Sequence, residues 1–438
     1  MREPHVEQLV LSELNLEPCV IQALVDLLKT REGDEDTWEA VFLEFCRGDV
    51  EAAVREVLAL NNVKKLEIAT GLSQRTALQA LAASTPGNNQ TLQELSLFTH
   101  IDEEIVEWLS QGFLCNTGIS KLRFVKCTFM EGAVEPLANF LRQTQSIEVL
   151  SIDRCIIQGT DENLGTMLDS LAGHASLREL FVGGPLCEQS QLAISKLLTD
   201  NRLISKLSLQ NRADLASSNA SACQDSSITW IEAPLSSNAT LKILDLSQRC
   251  LDDESMKSLS TALCSETSRL EEIRLHENHI GNAGVQYFAS RIPHVNGSLR
   301  RIFLHRNRFD EKGAEALLEA VRQNCNIREL TIPSMGRSTL MTKYQRLISY
   351  ETMLNCGGKH LLKGTAQNGL GIGLTTGLWP FIFERAGQQM TTPYSERQLS
   401  GSDTWRRTQQ ADLIFYLMRG AAESIFSRKE PATPVTKR

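Results

Sequence analysis

Length, composition and charge exclude several classes of protein. The chain has 438 residues, more than the roughly 250 to 300 that one packed core accommodates, so several domains or an elongated repeat structure is expected. Its 42% hydrophobic and 22% charged residues are typical of a folded protein, and the formal net charge of -8 argues against general nucleic-acid binding.

The cysteines and the termini predict a cytoplasmic chain without a membrane span. The sequence contains 11 cysteines, none in a CxxC pair, which favours reduced thiols over a disulfide framework or a zinc site. The charged first residues lack the apolar core of a signal peptide. The longest uncharged run, 364–383, is interrupted by glycines and Pro380, whereas a membrane-spanning helix needs about 20 predominantly apolar residues.

Residues 1–62 are predicted to form an N-terminal cap. The segments 6–16 and 38–46 place apolar residues in the register LxxLxL, but they match the repeats that follow only in part. Terminal units of a repeat protein are expected to be atypical because they close the core against water. We therefore interpret both segments as degenerate repeats.

Residues 63–339 are predicted to contain repeats of about 28 residues. LxxLxL, with Ile, Val or Phe also allowed, recurs every 27–30 residues except for one gap of 37. The ten copies begin at Val63, Leu92, Ile119, Ile147, Leu177, Ile204, Leu241, Leu270, Leu299 and Ile327. So steady a period predicts one structural unit that is repeated along the chain.

Each unit is predicted to be one strand followed by one helix. LxxLxL alternates apolar residues as a strand does, and segments such as AEALLEAVRQ have the apolar spacing of a helix. Neither element buries its apolar side alone, so successive units must stack. The predicted fold is an α/β leucine-rich repeat solenoid, a horseshoe with a parallel sheet on its concave face and helices on its convex face.

The ninth position of the repeat predicts a structural role for four residues. Asn278 and Asn307 occupy it in the clearest copies, and Cys127 and Cys155 occupy it in two others. An amide side chain there can bond backbone groups that the turn leaves unpaired, and a thiol can fill the same small site. We therefore interpret both cysteines as structural.

The repeat length and its full helix resemble the ribonuclease-inhibitor-like branch of leucine-rich repeats, over roughly residues 60–335. That branch includes the Ran GTPase-activating protein and the sensor ends of NOD-like receptors, so the resemblance implies protein recognition. The blocks CGGKHLL, GLWPFIFERA and DLIFYLMRG near the C-terminus look like the tail of a group of uncharacterised microalgal leucine-rich repeat proteins.

Two segments depart from the repeat. The long gap contains residues 213–227, rich in small polar residues, and predicts a surface loop that either is a simple insertion or contacts a partner. After Ile332 the period stops, and apolar patterning predicts a helical C-terminal cap over 340–428. Residues 429–438 are predicted to be a disordered tail.

Motifs for catalysis, cofactors and metals are not recognised. No stretch supplies the GxxxxGK[ST] phosphate loop, and the glycines after Gly369 lack the spacing of a dinucleotide loop. His276 and His279 in HENH nearly match a zinc motif, but His276 is predicted on a strand rather than on a helix. We therefore predict a chain that is not an enzyme and holds no cofactor and no metal.

The strand register places a candidate binding site on the concave face. The fifth and seventh positions of LxxLxLx face outward, and the aromatic and basic residues there are the usual energetic anchors of interfaces. The best cluster lies on two adjacent strands and comprises Arg274, His276, Arg301, Phe303, His305 and Arg306. Phe303 would supply desolvated contact, and the arginines would steer an acidic or mixed partner surface.

Three functions remain open at this point. The first is a non-catalytic scaffold or inhibitor that binds a protein on the concave face. The second is a GTPase-activating protein resembling the Ran regulator, although such proteins carry an acidic tail whereas residues 334–438 here hold 7 acidic and 14 basic groups. The third is the recognition subunit of an innate-sensor or ubiquitin-ligase-type assembly, which would need a separate effector chain.

Overall fold

The computed structural model of the chain describes residues 8–29, 38, 40–44, 46–60, 62–69, 71–83, 91–115, 118–160, 162–211, 228–294, 297–333 and 339–357. The predicted loop at 213–227, the greater part of the predicted cap at 340–428 and the predicted tail at 429–438 lie outside these residues.

Strands and helices alternate along the described chain. The strands are β1 (Gln8–Ser12), β2 (Asn15–Leu16), β3 (Ala40–Glu44), β4 (Arg47–Gly48), β5 (Lys65–Ala69), β6 (Glu94–Leu97), β7 (His100–Ile101), β8 (Lys121–Val125), β9 (Thr128–Phe129), β10 (Val149–Asp153), β11 (Ile156–Ile157), β12 (Glu179–Val182), β13 (Lys206–Ser208), β14 (Ile243–Asp245), β15 (Glu272–Arg274), β16 (Arg301–Phe303) and β17 (Glu329–Thr331). The helices are α1 (Pro18–Lys29), α2 (Val50–Ala59), α3 (Gly71–Ala82), α4 (Glu103–Cys115), α5 (Val134–Gln143), α6 (Glu162–Asp169), α7 (Glu188–Asp200), α8 (Thr229–Ser237), α9 (Asp253–Leu263), α10 (Asn282–Arg291), α11 (Glu311–Gln323) and α12 (Thr339–Gly357).

One long parallel sheet runs through the described residues. Its 12 strands follow the order β1, β3, β5, β6, β8, β10, β12, β13, β14, β15, β16, β17. The repeat sets the register, because the fourth residues of successive LxxLxL copies lie opposite one another, as in Leu244 with Ile273 and Ile273 with Ile302. The predicted repeat solenoid with a parallel sheet is confirmed.

The core lies between the sheet and one layer of helices. Apolar residues at the first, fourth and sixth positions of the repeats and on the inner side of the helices are buried, for example Ile273, Leu275, Val285 and Phe288. Each helix packs against the next helix along the chain. Because neighbouring helices need about 8–10 Å and neighbouring strands only about 4.8 Å, the helix layer is the longer one and the sheet lies on the inner, concave side.

The described part of residues 1–62 continues the sheet. β1 pairs in parallel with β3, and β3 pairs with β5, the first strand of the regular repeats. Trp38 forms a parallel bridge to Val63 and is 4% exposed. These segments therefore share the geometry of the repeats although they match the consensus poorly.

Helix α12 covers the last described strand. Met341, Ile348 and Leu354 are buried, and the Asn355 amide donates to the carbonyls of Asn324 at 3.0 Å and Ile327 at 2.8 Å. The rest of the predicted C-terminal cap lies outside the described residues.

A ladder of side-chain hydrogen bonds links the repeats where the strands end. The ninth-position group of one repeat donates to the sixth-position carbonyl of the repeat before it. Asn278 and Asn307 do so through Nδ2 at 3.0 and 2.8 Å, and Cys127 and Cys155 through Sγ at 3.2 and 3.4 Å. Arg249, 6% exposed, fills the same place with its guanidinium, 2.7 Å from the carbonyl of Leu209.

The two cysteines that the sequence assigned a structural role both donate to backbone carbonyls of the preceding repeat. Cys127 is buried and Cys155 is partly buried. The side-chain hydrogen bond with Cys127 and then burial raise the pKa of the Cys155 thiol, which keeps it protonated and unreactive. The expectation that all cysteines are reduced is not met everywhere, because Cys250 is disulfide-bonded.

A second ladder lies where the helices end and the next strands begin. The Oδ1 atom of Asn238 accepts hydrogen bonds from the backbone amides of Thr240 at 3.0 Å and Leu241 at 2.7 Å, and Nδ2 donates to the previous repeat. Asn201 and Asn324 bond in the same way. These bonds satisfy backbone groups at buried helix ends, and they fix where each strand starts.

No helix in the described part of the chain combines the length and the apolar character that crossing a membrane requires.

Candidate binding site on the concave face

The structure brings the six predicted site residues together. Arg274 ends β15, and Arg301 and Phe303 lie on the adjacent strand β16, where Phe303 pairs directly with Arg274. His276 and His305 each follow the last residue of their strand by two residues, on the same face. Arg306 lies in the next turn, in the left-handed backbone region with φ of 57°. The six therefore form one patch, which we call the histidine–arginine patch.

A buried carboxylate organises the patch. Glu272, only 2% exposed, pairs with Arg274 Nε and with Arg301 Nη2, the latter at 2.6 Å. A second buried carboxylate, Asp245, lies 3.7 Å from Arg274 Nη1. A buried carboxylate is costly unless ion pairs and hydrogen bonds compensate it, so Arg274 and Arg301 are held in place by the sheet's own charges.

The outermost residue of the patch is also paired. Arg306, with 73% of its side chain exposed, lies 2.7 Å from Glu277. Glu277 also accepts a hydrogen bond from Gln248 at 2.7 Å, and these two bonds lower the pKa of the Glu277 carboxyl. Three arginines thus face the three carboxylates Asp245, Glu272 and Glu277, and the patch offers alternating charge rather than a net positive field.

The two histidines stack on each other. The rings of His276 and His305 are 4.5 Å apart with an interplanar angle of 9°. His276 Nδ1 lies 3.0 Å from Ser247 Oγ, and His305 Nδ1 lies 3.1 Å from Thr331 Oγ1. Burial lowers the pKa of both imidazoles, and the charge of His276 lowers that of His305 further. Neutral rings are favoured because two stacked imidazolium ions would repel each other.

The hydrogen bonds assign the protons of His276. The Ser247 hydroxyl donates to the Asp245 carboxylate, so Ser247 Oγ can only accept from the histidine. Neutral His276 therefore carries its proton on Nδ1, and Nε2 is left as an acceptor. This places a hydrogen-bond acceptor, not a cation, at the centre of the patch.

Phe303 is one of three phenylalanines at the fifth repeat position that lie beside a cation. The guanidinium of Arg274 lies 5.9 Å from the Phe303 ring centre. Lys206 lies 4.6 Å from Phe181, and Lys65 lies 5.3 Å from Phe42. The cation holds the ring in one orientation, so each phenylalanine presents a fixed apolar surface on the concave face.

Apart from Arg301, the charged residues at the third repeat position were not predicted from the sequence. Their signs alternate across neighbouring strands, as in Lys65 and Glu94 at 3.2 Å and in Lys206 and Glu179 at 3.2 Å. Glu272 and Arg301 continue the pattern. The third position faces the same side of the sheet as the fifth. The alternation of Lys or Arg with Glu at the third position of successive repeats would therefore have indicated that Glu272 lies on the concave face between cations.

Comparison with known proteins gives one curated relative. No family model matches the sequence. Ribonuclease inhibitor of Sus scrofa is 25% identical over 286 residues, which are 64% of this chain and 52% of the relative. The chain therefore spans about half the length of the curated relative that it matches.

Three solved structures show weak likeness. The actin-binding site 2 of leiomodin-1 is 15% identical and covers 32% of this chain and 79% of its own, with a TM-score of 0.26. An internalin from Listeria monocytogenes is 13% identical over 74% of this chain and 86% of its own, with a TM-score of 0.33. The TLR13–ssRNA13 complex is 13% identical and covers 68% of this chain and 36% of its own, with a TM-score of 0.39.

Likenesses of that strength say nothing about a partner, so the assignment depends on other observations. These are the ten-fold LxxLxL pattern, the continuous parallel sheet with its outer helices, and the curated relative. Together they show that the chain is a leucine-rich repeat solenoid, similar to proteins of the ribonuclease-inhibitor-like type.

Proposed function

We propose that the chain is a non-catalytic protein-binding scaffold or inhibitor that holds a protein partner on its concave face, with the histidine–arginine patch at the centre of the contact. The observation that carries the proposal is the convergence of Phe303, two stacked histidines and three arginines on two adjacent strands. A curated relative named an inhibitor supports recognition of a protein.

The order within the patch favours binding. Fixing long side chains at an interface normally costs about 0.5–1.5 kcal/mol each. Arg274, Arg301 and Arg306 are already held by carboxylates in the free chain, so much of that cost is met before a partner arrives. Because the charges balance locally, the matching surface is one of mixed charge with an apolar centre for Phe303, rather than a strongly acidic one.

We propose binding rather than catalysis because the Asp, Ser and His side chains in the patch region are hydrogen-bonded in an order that does not activate the serine. Asp245, Ser247 and His276 are connected, but the serine hydroxyl donates to the aspartate and not to the histidine. Ser247 is also fully buried, with 0% exposure. A nucleophilic serine needs a base that takes its proton and access to a substrate, and Ser247 has neither.

A matched pair of double variants tests the proposal. Phe303→Ala with Arg306→Glu alters the patch without touching Glu272. The control, Phe181→Ala with Arg154→Glu, makes the same substitutions at the same repeat positions outside the patch. Phe181 also lies beside a cation, and Arg154 has the same left-handed backbone as Arg306. Affinity capture from native lysate, with mass spectrometry, identifies the proteins held by the wild-type chain and by each variant.

We expect a partner that wild type and the Phe181/Arg154 variant retain and the Phe303/Arg306 variant loses. For the purified partner, the Kd should rise at least about 30-fold, as for loss of a central anchor worth about 2 kcal/mol. Equal retention by both variants would contradict the proposal, as would the absence of any protein partner for wild type.

We also propose that the chain works in the cytoplasm. The described cysteines that form no disulfide are Cys19, Cys46, Cys127, Cys155, Cys187, Cys264, Cys325 and Cys356. Such a set persists where glutathione keeps thiols reduced, whereas secreted proteins tend to pair theirs. Cys250, which is disulfide-bonded, counts against the proposal, so cell fractionation combined with thiol labelling is the decisive measurement. Recovery of the chain from the secretory pathway would overturn the proposal.

A further inference from the structure

A basic groove runs along the rim of the sheet where β13 to β16 begin. Its volume is about 590 Å³. Among the described residues, its lining includes one carboxylate, Glu271, and five cationic side chains, those of Arg178, Arg202, Lys242, Arg269 and Arg300. All five cationic side chains are exposed. No residue of the histidine–arginine patch lines it, so the groove is a separate surface at the edge of the same sheet.

The backbone fixes the spacing of the charged residues in the groove. The amide of Lys242 donates to the carbonyl of Ser205 at 2.7 Å, that of Glu271 to Lys242 at 2.8 Å, and that of Arg300 to Glu271 at 2.9 Å. Their side chains therefore start one strand apart, at about 4.8 Å intervals. From Ser205 to Arg300 the groove crosses four strand starts, about 15 Å, which is the reach of about five extended residues.

The positive charge of the groove is poorly neutralised by the chain itself. Arg202 and Arg300 form no ion pair with any residue in the described ranges. Lys242 lies 3.5 Å from Glu271, and Arg178 lies 3.9 Å from Glu148. Both pairs are well exposed, so they contribute little, and the groove keeps an excess of cations.

The fold explains how so many cations can lie together. Helices α7, α8 and α9 end at this rim, before the strands that border the groove. The C-terminus of a helix carries about half a negative charge. These helix ends offset part of the repulsion among the arginines without occupying the side-chain donors.

We propose that this groove binds an extended peptide segment rich in aspartate and glutamate. Guanidinium groups bind carboxylates through two parallel hydrogen bonds, and the regular spacing presents several of them to one extended chain. The exposed Leu203 and Ala239 give the groove an apolar floor, which favours a peptide that carries one apolar residue among its acidic ones.

A nucleic acid fits the groove less well. Single-stranded nucleic acids are held by aromatic side chains on which the bases stack, and none of the described residues that line the groove is aromatic. The formal net charge of -8 also opposes a long polyanion. A short peptide lies within about one Debye length, 8–10 Å, of the groove and is attracted by the local charge.

The test uses the full chain and a fluorescein-labelled peptide of eight residues, six of them Asp or Glu and one Leu, followed by fluorescence anisotropy. The groove variant is Arg202→Glu with Arg300→Glu. Its matched control, Arg308→Glu with Lys312→Glu, changes the net charge equally with exposed residues at the opposite rim. Arg202→Ser with Arg300→Ser provides a milder groove variant, and circular dichroism verifies the fold of each protein.

We expect the peptide to bind wild type and the control with similar Kd, and to bind both groove variants at least about tenfold more weakly. Binding should weaken as salt increases. The Phe303→Ala, Arg306→Glu variant should bind the peptide normally, so the result does not depend on the proposed concave-face function. Failure of wild type to bind at about 1 mM peptide, equal binding by groove and control variants, or tighter binding of an eight-nucleotide single-stranded RNA would overturn the proposal.

Discussion

At the scale of single residues, the repeat tolerates different side chains wherever they supply the same hydrogen bond. His174 occupies the place of the helix-ending asparagines. Its Nδ1 accepts from the amides of Ser176 and Leu177 at 3.4 and 3.2 Å, as Asn238 Oδ1 does from Thr240 and Leu241. Asparagine is a residue type characteristic of helix ends, but a histidine in the same role has no such signature.

His174 predicts a measurable dependence of stability on pH. The side chain is 4% exposed, and burial lowers its pKa below the ordinary histidine value of 6.5. When the pH falls below 6.5, His174 is protonated in the unfolded chain but stays neutral in the folded chain. The free energy of unfolding therefore decreases until the pH reaches the lower pKa of the folded state. Above pH 6.5 both states are neutral, and this contribution is constant.

We expect His174→Asn to reduce this loss. The amide oxygen can accept the same backbone hydrogen bonds and does not titrate. Urea denaturation at pH 7.5 and at pH 5.5 gives the decrease in free energy of unfolding for both proteins, and the decrease should be smaller for the variant. Some loss remains, because His276 and His305 also have lowered pKa values. Identical decreases would show that His174 is not responsible.

At the scale of elements, each strand is specified by its apolar residues and joined to its neighbours by charge. The positions of the strands of the long sheet from β5 to β17 follow from LxxLxL, because apolar residues at fixed spacing can be buried in only one register. The ion pairs between strands could not be predicted from LxxLxL, because a charged residue becomes buried only when the strands on both sides cover it. Glu272 is such a case, with Arg274 on its own strand and Arg301 on the next.

We expect Glu272→Gln to destabilise the chain by about 2–3 kcal/mol, because Arg274 and Arg301 would keep their positive charges without the carboxylate between them. Urea denaturation at pH 7.5 measures the change. Glu271→Gln is the matched control, since Glu271 forms only an exposed pair with Lys242 at 3.5 Å and should change stability by less than about 0.5 kcal/mol. Equal effects of the two variants would mean that the buried pairs contribute no more than exposed ones.

At the scale of the whole molecule, the chain is a linear array in which each repeat packs on the next. Periodicity predicted this array over residues 63–339, and it also indicated the weak units that became β1 and β3. It did not predict the length of α12, because an end-covering helix is not part of the period. The histidine–arginine patch could be proposed from strand register alone, but its balanced charge could be seen only once the neighbouring strands were placed beside it.

The linear array predicts that damage at one end stays local. Ile348 lies in α12 with 0% exposure, and Ile348→Ala should remove about 2–4 kcal/mol of packing by leaving a cavity. In a repeat protein each unit is stabilised mainly by its neighbours, so the loss should fall on the repeats nearest α12. Hydrogen exchange followed by mass spectrometry should show faster exchange in β16 and β17 and unchanged exchange in β8 and β10.

Leu340→Ala, on the same helix but at a position that is 53% exposed, is the control and should leave exchange unchanged throughout. Faster exchange in β8 with Ile348→Ala would instead mean that the array unfolds as one unit. Damage that stays local to α12 would still reach the histidine–arginine patch. The histidine–arginine patch lies on β15 and β16, within two strands of the end that α12 covers, so the order of its arginines depends on a helix that contributes no residue to the patch.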